Sequence, residues 1–193
     1  MSTQFEIPAL YVEGPALAAF AVHATVRRWR NAPGWSGRPL ATRVAAALYA
    51  AAVVSITVFP LWVYTGDYRN LSPWTSQINP VPLLTADVTM IANLIMFVPF
   101  GFLLPLFVRC DRVGRMALSA ASASLLIEGT QLAQYILFSS GRSVDINDVI
   151  ANTLGALIGY AILRRAFRGG PAAAADGAAG TGWIDHGRTA ANR

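Results

Sequence analysis

The stretch Met116–Phe138, MALSAASASLLIEGTQLAQYILF, is apolar for long enough to cross a bilayer, yet it carries Glu128 in its second half. About 20 apolar residues suffice for the hydrocarbon core. A carboxylate inside such a run costs at least a few kcal/mol unless it is paired, protonated or turned away from lipid. Its neighbours keep a helical period, with Ser124, Glu128, Gln131 and Tyr135 spaced four, three and four apart. That spacing puts them on one face. The stretch therefore predicts a membrane helix whose polar stripe points into a bundle. At 1.5 Å per residue, Glu128 should lie roughly 14 Å from the end of the run, near mid-membrane.

Three further runs read the same way. They are residues 43–64 (RVAAALYAAAVVSITVFPLWVY), 88–108 (VTMIANLIMFVPFGFLLPLFV, with kinks expected at Pro99 and Pro105) and 148–163 (DVIANTLGALIGYAIL). The segment Ile7–Val26 is less apolar, holds Glu13 and Pro15, and ends in RRWR. Its positive charge follows the apolar stretch, whereas a signal peptide carries charge before it. It reads as a first span, with an amphipathic surface helix as the alternative. The chain is 54% hydrophobic and 13% charged, against about 25% charged in soluble domains. The expected fold is all-α, a polytopic membrane helix bundle of about five transmembrane helices. Residues 1–30 would form an N-terminal transmembrane or interfacial helix, 40–165 the transmembrane domain, and 169–193 a disordered cytoplasmic tail. His186 in that tail is expected to be solvated, and His23 structural.

The net charge of +5 does not point to nucleic acid. There is no lysine, and the fifteen arginines gather at the ends of the apolar runs, which is a topology signal. Taking the connecting segments alternately, one set holds Arg27, Arg28, Arg30, Arg38, Arg43, Arg109, Arg112, Arg115, Arg164, Arg165, Arg168, Arg188 and Arg193. The other holds only Arg69 and Arg142. The rich side should be cytoplasmic, which leaves the N-terminus outside and the C-terminus inside. The single cysteine, Cys110, excludes an internal disulfide and a cysteine-based zinc site. No metal or cofactor is expected.

A second stripe, Asp145, Asp148, Asn152, Gly155 and Gly159, runs down the last helix, and Thr89, Asn93 and Phe97 share a face of an earlier one. All three stripes are polar in the outer half of the membrane. They predict one outward-facing pocket built from Asn93, Glu128, Gln131, Arg142, Asp145, Asp148 and Asn152. Structural roles compete at each position. Asp145 can cap the last helix with Asp148 in its first turn. Gly155-x-x-x-Gly159 suits a packing seam. Glu128 and Arg142 can form a structural lock, and Asn93 and Asn152 can bond between helices.

At these residues the chain resembles the VanZ-like family of bacterial integral membrane proteins, relatives of a teicoplanin-resistance protein. NPVPLL (Asn79 to Leu84) is similar to the family's Asn-x-x-Pro-Phe stretch, and NLIMFVPFGFLLP (Asn93 to Pro105) to its Asn-x-x-x-Phe-x-Pro-x-Gly helix. EGTQ (Glu128 to Gln131) resembles its Glu-x-x-Gln. GRSVDINDVIANTLGALIGY resembles its Arg-x-x-Asp-x-x-Asp-x-x-x-Asn-x-x-Gly signature. The likeness spans about residues 40–165 and departs at Leu83, where the family commonly has an aromatic. It carries the family's polar positions onto Asn93, Glu128, Gln131, Arg142, Asp145, Asp148 and Asn152. It implies a multi-pass protein of the bacterial plasma membrane that affects glycopeptide susceptibility, and no settled chemistry.

Two functions follow as expectations. The first is an envelope protein binding the headgroup of a phospholipid or a lipid-linked cell-wall intermediate. Arg142 would hold its phosphate, and the acids its amine or sugar groups. The second is an intramembrane hydrolase or transferase on such a lipid, with Glu128 as general acid or base and Asp145 and Asp148 holding a divalent ion with the substrate phosphate. A proton-coupled carrier using Glu128 ranks third, since no inverted repeat is visible.

Overall fold

The computed structural model describes residues 2–82 and 88–168. Leu83 and the tail 169–193, His186 included, lie outside the described residues. Within them are the helices α1 (Leu10–Trp29), α2 (Gly37–Thr57), α3 (Val88–Leu103), α4 (Val113–Phe138) and α5 (Ile146–Arg168). Short strands link their ends. β1 (Gln4–Ile7) pairs antiparallel with β2 (Leu61–Tyr64), and β3 (Ile78–Asn79) pairs parallel with β4 (Val144–Asp145). The first pairing ties the start of α1 to the end of α2, and the second ties the start of α5 to the segment that precedes α3. Toward the other end of α5, the Tyr160 hydroxyl donates to the Cys110 carbonyl at 2.7 Å, joining α5 to the segment after α3.

The bundle is built inside out. Ser124, Glu128, Gln131, Gln134, Asn147 and Asn152 are buried, whereas Ile91, Ile95, Leu118, Leu126, Leu137, Leu154 and Ile162 are exposed. A water-soluble domain has the opposite arrangement. Helices within hydrocarbon satisfy their own backbone and turn polar side chains toward each other. Three helical segments, Gly37–Thr57, Val88–Leu106 and Ile146–Ala166, are long and apolar enough to cross a membrane. The inward polar stripe of α4, and Glu13 and the arginines of α1, lower the hydropathy of the other two.

Helix ends follow the prolines. The run 43–64 was expected to be one span, but α2 stops at Thr57 and residues 61–64 form β2. Pro60 has no N–H to continue the helix and disfavours helical backbone at Phe59. Pro99 lies inside α3, and Pro105 falls in the 3₁₀ turn Leu104–Leu106 that ends it. The first segment is a 20-residue helix, about 30 Å long. It lies antiparallel to α2, tied by the β1–β2 pair and by Ser55 Oγ donating to Glu13 Oε2 at 2.7 Å.

The tightest packing joins α3 to α5. A Cβ added at Gly155 would stand 2.0 Å from the Leu94 carbonyl oxygen, one at Gly159 2.0 Å from that of Val98, and one at Gly101 1.8 Å from that of Ala156. The Gly155–Gly159 seam is therefore real, and Gly101 completes it from the opposite helix. Because Leu94 meets Gly155 and Val98 meets Gly159, the two helices run parallel. α4 returns antiparallel to them, its buried face carrying Met116, Ala120, Ser124, Glu128, Gln131 and Tyr135.

Candidate functional site

α4 has 26 residues, about 39 Å, and so outreaches an apolar core of about 30 Å. Its last two turns project past the ends of both neighbours. Gln131 Nε2 donates to the carbonyl of Thr57, the last residue of α2, at 2.9 Å, and Gln134 Nε2 to that of Val58 at 3.0 Å. Glu128 Oε2 accepts the backbone N–H of Asp145, the residue before α5, at 3.0 Å. Glu128 thus stands level with the last turn of α2 and the first turn of α5. Measured against its neighbours, it lies at their ends and not midway along them. The mid-membrane expectation took the end of α4 as the bilayer edge. In the fold, the segment after α4 doubles back along it with Ser139 and Ser140 buried. The projecting turns are bound on the other side by Tyr135, whose hydroxyl donates to the Ser72 carbonyl at 2.7 Å.

Asp145 is the hinge of this cluster. Its Oδ1 accepts the Asn147 N–H at 2.8 Å, and its Oδ2 accepts Asn79 Nδ2 at 3.0 Å. The first contact is an N-cap to the second residue of α5. The second pins Asn79, where the NPVPLL stretch begins. Asp148 lies in the first turn of α5, where the helix dipole favours an acid. Both aspartates bear electrostatically on Glu128, so three carboxyl groups crowd the N-terminus of α5. Asp145 commits both oxygens to protein donors, and no three acidic, histidine or cysteine groups converge as a metal set among the described residues.

The expected lock between Glu128 and Arg142 is not made. Arg142 Nη2 donates instead to the Phe59 carbonyl at 2.9 Å. Gln131, Gln134 and Arg142 together satisfy three successive carbonyls, 57 to 59, that α2 leaves unpaired where Pro60 breaks it. Asn152, 2% exposed, lies a turn deeper and donates to Ser124 Oγ at 2.8 Å, while its own carbonyl oxygen stays buried without a partner. Asn93 is half-buried on α3 and makes no side-chain hydrogen bond with a described residue.

The structure therefore joins Glu128 with Asp145 and Asp148, sets Gln131 and Arg142 beside them on the end of α2, and leaves Asn152 below and Asn93 to one side. Sequence reasoning missed Asn79, Gln134 and the α2 carbonyls. Asn79 stood in a quoted motif, and Gln134 sits three residues beyond Gln131 on the same face. The carbonyls had no side-chain signal.

The cap gives a direct test. Asp145→Ala should lower stability by about 1 kcal/mol for the lost N-cap, and more if Asn79 detaches. Asp145→Asn keeps one acceptor for the cap but sets an amide against Asn79 Nδ2, so it should fall between Asp145→Ala and wild type. Thermal melting in detergent measures both.

A helical bundle with buried amides and acids and an aliphatic exterior is an integral membrane protein. The family model described as VanZ/LLP1 matches residues 46–168, and the chain belongs to the VanZ-like family. No curated protein and no solved structure matches it.

Proposed function

We propose that this VanZ-like protein sits in the bacterial plasma membrane with its N-terminus outside and the arginine-rich end of the bundle in the cytoplasm. At the Glu128 end it binds the polar headgroup of an envelope lipid. Through that lipid it alters susceptibility to glycopeptides such as teicoplanin, the antibiotic tied to the family by name. The observation that carries this reading is Glu128 itself. It is 3% exposed, it accepts a backbone N–H, Asp145 and Asp148 act on it electrostatically, and no described arginine pairs with it. A buried acid so placed favours an incoming amine or hydroxyl. Arg142, half-buried beside it, uses one nitrogen on Phe59 and keeps further N–H donors for a phosphate.

The test is lipid analysis of the protein purified in mild detergent. One lipid species should be enriched over the bulk membrane. Arg142→Ala should reduce that enrichment about tenfold, the loss of a charge-assisted phosphate contact, with recovery of monodisperse protein as the check on folding, since losing the bond to Phe59 also lowers the melting temperature. Absence of any enriched species would sink the reading. Consumption of the retained lipid by wild type and not by Glu128→Gln would make the protein a hydrolase or transferase instead.

A further inference from the structure

We propose a second lipid site at the opposite end of the molecule. The groove between α4 and α5 seats one anionic phospholipid, its phosphate held by Arg164 and Arg165 and an acyl chain laid along Leu157 and Ala161. The groove has a volume of about 240 Å³ and is lined by Val113, Leu157, Tyr160, Ala161, Arg164 and Arg165. Its walls are apolar, and its charge is confined to the two guanidinium groups at the last turns of α5.

Three features fit this occupant. Arg164 and Arg165 make no ion pair with any described residue, and the nearby Asp111 is taken by Arg115 at 3.0 Å. Arg164 is held over the Tyr160 ring, 5.6 Å from its centroid, while the Tyr160 hydroxyl is committed to the Cys110 carbonyl. That arrangement orients a guanidinium at the groove without neutralising it. Finally, the groove opens where α5 ends, at the level of the bilayer surface, where arginine stems lie along hydrocarbon and their heads meet lipid phosphates.

Two other grooves at this end do not offer the same chemistry. The larger one between α1 and α2, about 430 Å³, has Arg28 as its one charged lining residue. In the one beside Arg38 and Arg43, Arg43 is spent on the Gly34 carbonyl and on the Trp35 ring at 5.0 Å. Two unneutralised guanidinium groups over an apolar trough fit an anionic diacyl lipid. They do not favour a zwitterionic one, whose amine they would repel.

The full-length protein in detergent is tested by native mass spectrometry with dioleoyl phosphatidylglycerol or dioleoyl phosphatidylcholine added. Wild type should retain one phosphatidylglycerol molecule and no phosphatidylcholine. Arg164→Gln with Arg165→Gln should lower retention roughly tenfold to thirtyfold, the loss of two basic contacts to an anionic headgroup. Arg27→Gln with Arg28→Gln removes the same charge from the same end, outside the groove, and should retain the lipid. Ala161→Trp fills the trough, keeps both arginines and should release it. Equal retention of both lipids, equal loss in the two arginine pairs, retention by Ala161→Trp, or displacement of the lipid by millimolar inorganic phosphate would each overturn the proposal. The outer site is untouched by these variants, so the two readings stand or fall separately.

Discussion

Gly159→Val should leave little folded protein, and Gly155→Val should do nearly as much damage. A Cβ at either position would lie 2.0 Å from a carbonyl oxygen of α3. Ordinary C–H···O contact needs about 3.3 Å, so the helices must part by more than 1 Å. The obstacle is backbone of a neighbouring helix, which has no rotamer to change. Overpacking a core whose side chains can shift rotamer costs about 1–3 kcal/mol. Here the penalty should exceed that range, because separation loses contact along the whole seam from Leu94 to Gly101. Total stability is only about 5–15 kcal/mol. Recovery of monodisperse protein and the melting temperature in detergent report the result. Gly129→Ala is the matched control, since a Cβ there meets nothing within 4 Å. It replaces a poor helix former by the best one and should leave the melting temperature unchanged or slightly higher. Equal behaviour of Gly159→Val and Gly129→Ala would refute the seam.

The second large effect belongs to the end of α2. Gln131→Leu combined with Gln134→Leu removes the donors to the Thr57 and Val58 carbonyls. Each carbonyl left buried without a donor costs about 1–3 kcal/mol, so the pair should cost about 2–6 kcal/mol. Because both changes keep side-chain volume roughly constant, the loss is one of hydrogen bonding and not of packing. The damage should also be local. Limited proteolysis should newly cut the segment after α2, since Arg142 on Phe59 then becomes the remaining side-chain donor to its three bared carbonyls. Wild-type stability in the double variant, or cleavage elsewhere, would show that α2 is held by other means.

How far the sequence carried can be judged from single residues. The α4 stripe was legible because burial and helical period act together: Ser124, Glu128, Gln131 and Tyr135 are all buried. The Gly155–Gly159 seam was legible because small residues four apart have few other uses in a membrane helix. The likeness to the VanZ-like family also held. Gly101 was not singled out for packing, since its partner helix is remote in sequence. Counting residues from Phe138 to place Glu128 assumes that all helices end together, whereas α4 outruns the end of α2 and the start of α5. The doubling back of the segment after α4 depends on contacts between loops that no periodicity encodes. Arg142 lies at the Glu128 end of the bundle but is aimed at the Phe59 carbonyl and not at Glu128. A broken helix offers carbonyls to whatever donor passes, and sequence does not mark which carbonyls are left bare. Asp145 served as the cap that one of its expected roles described, and the same cap gives Glu128 its backbone donor.

The parallel course of α3 and α5, and the strand pair that fixes the start of α1 to the end of α2, have a consequence for how the chain enters a bilayer. Neither helix of the α3–α5 pair, and neither helix of the α1–α2 pair, can be reversed alone without tearing the seam or the β1–β2 ladder. Each pair therefore takes its orientation as a unit. An arginine at the end of one helix then biases its partner as well, so charge scattered thinly over a chain without lysine acts on fewer independent choices.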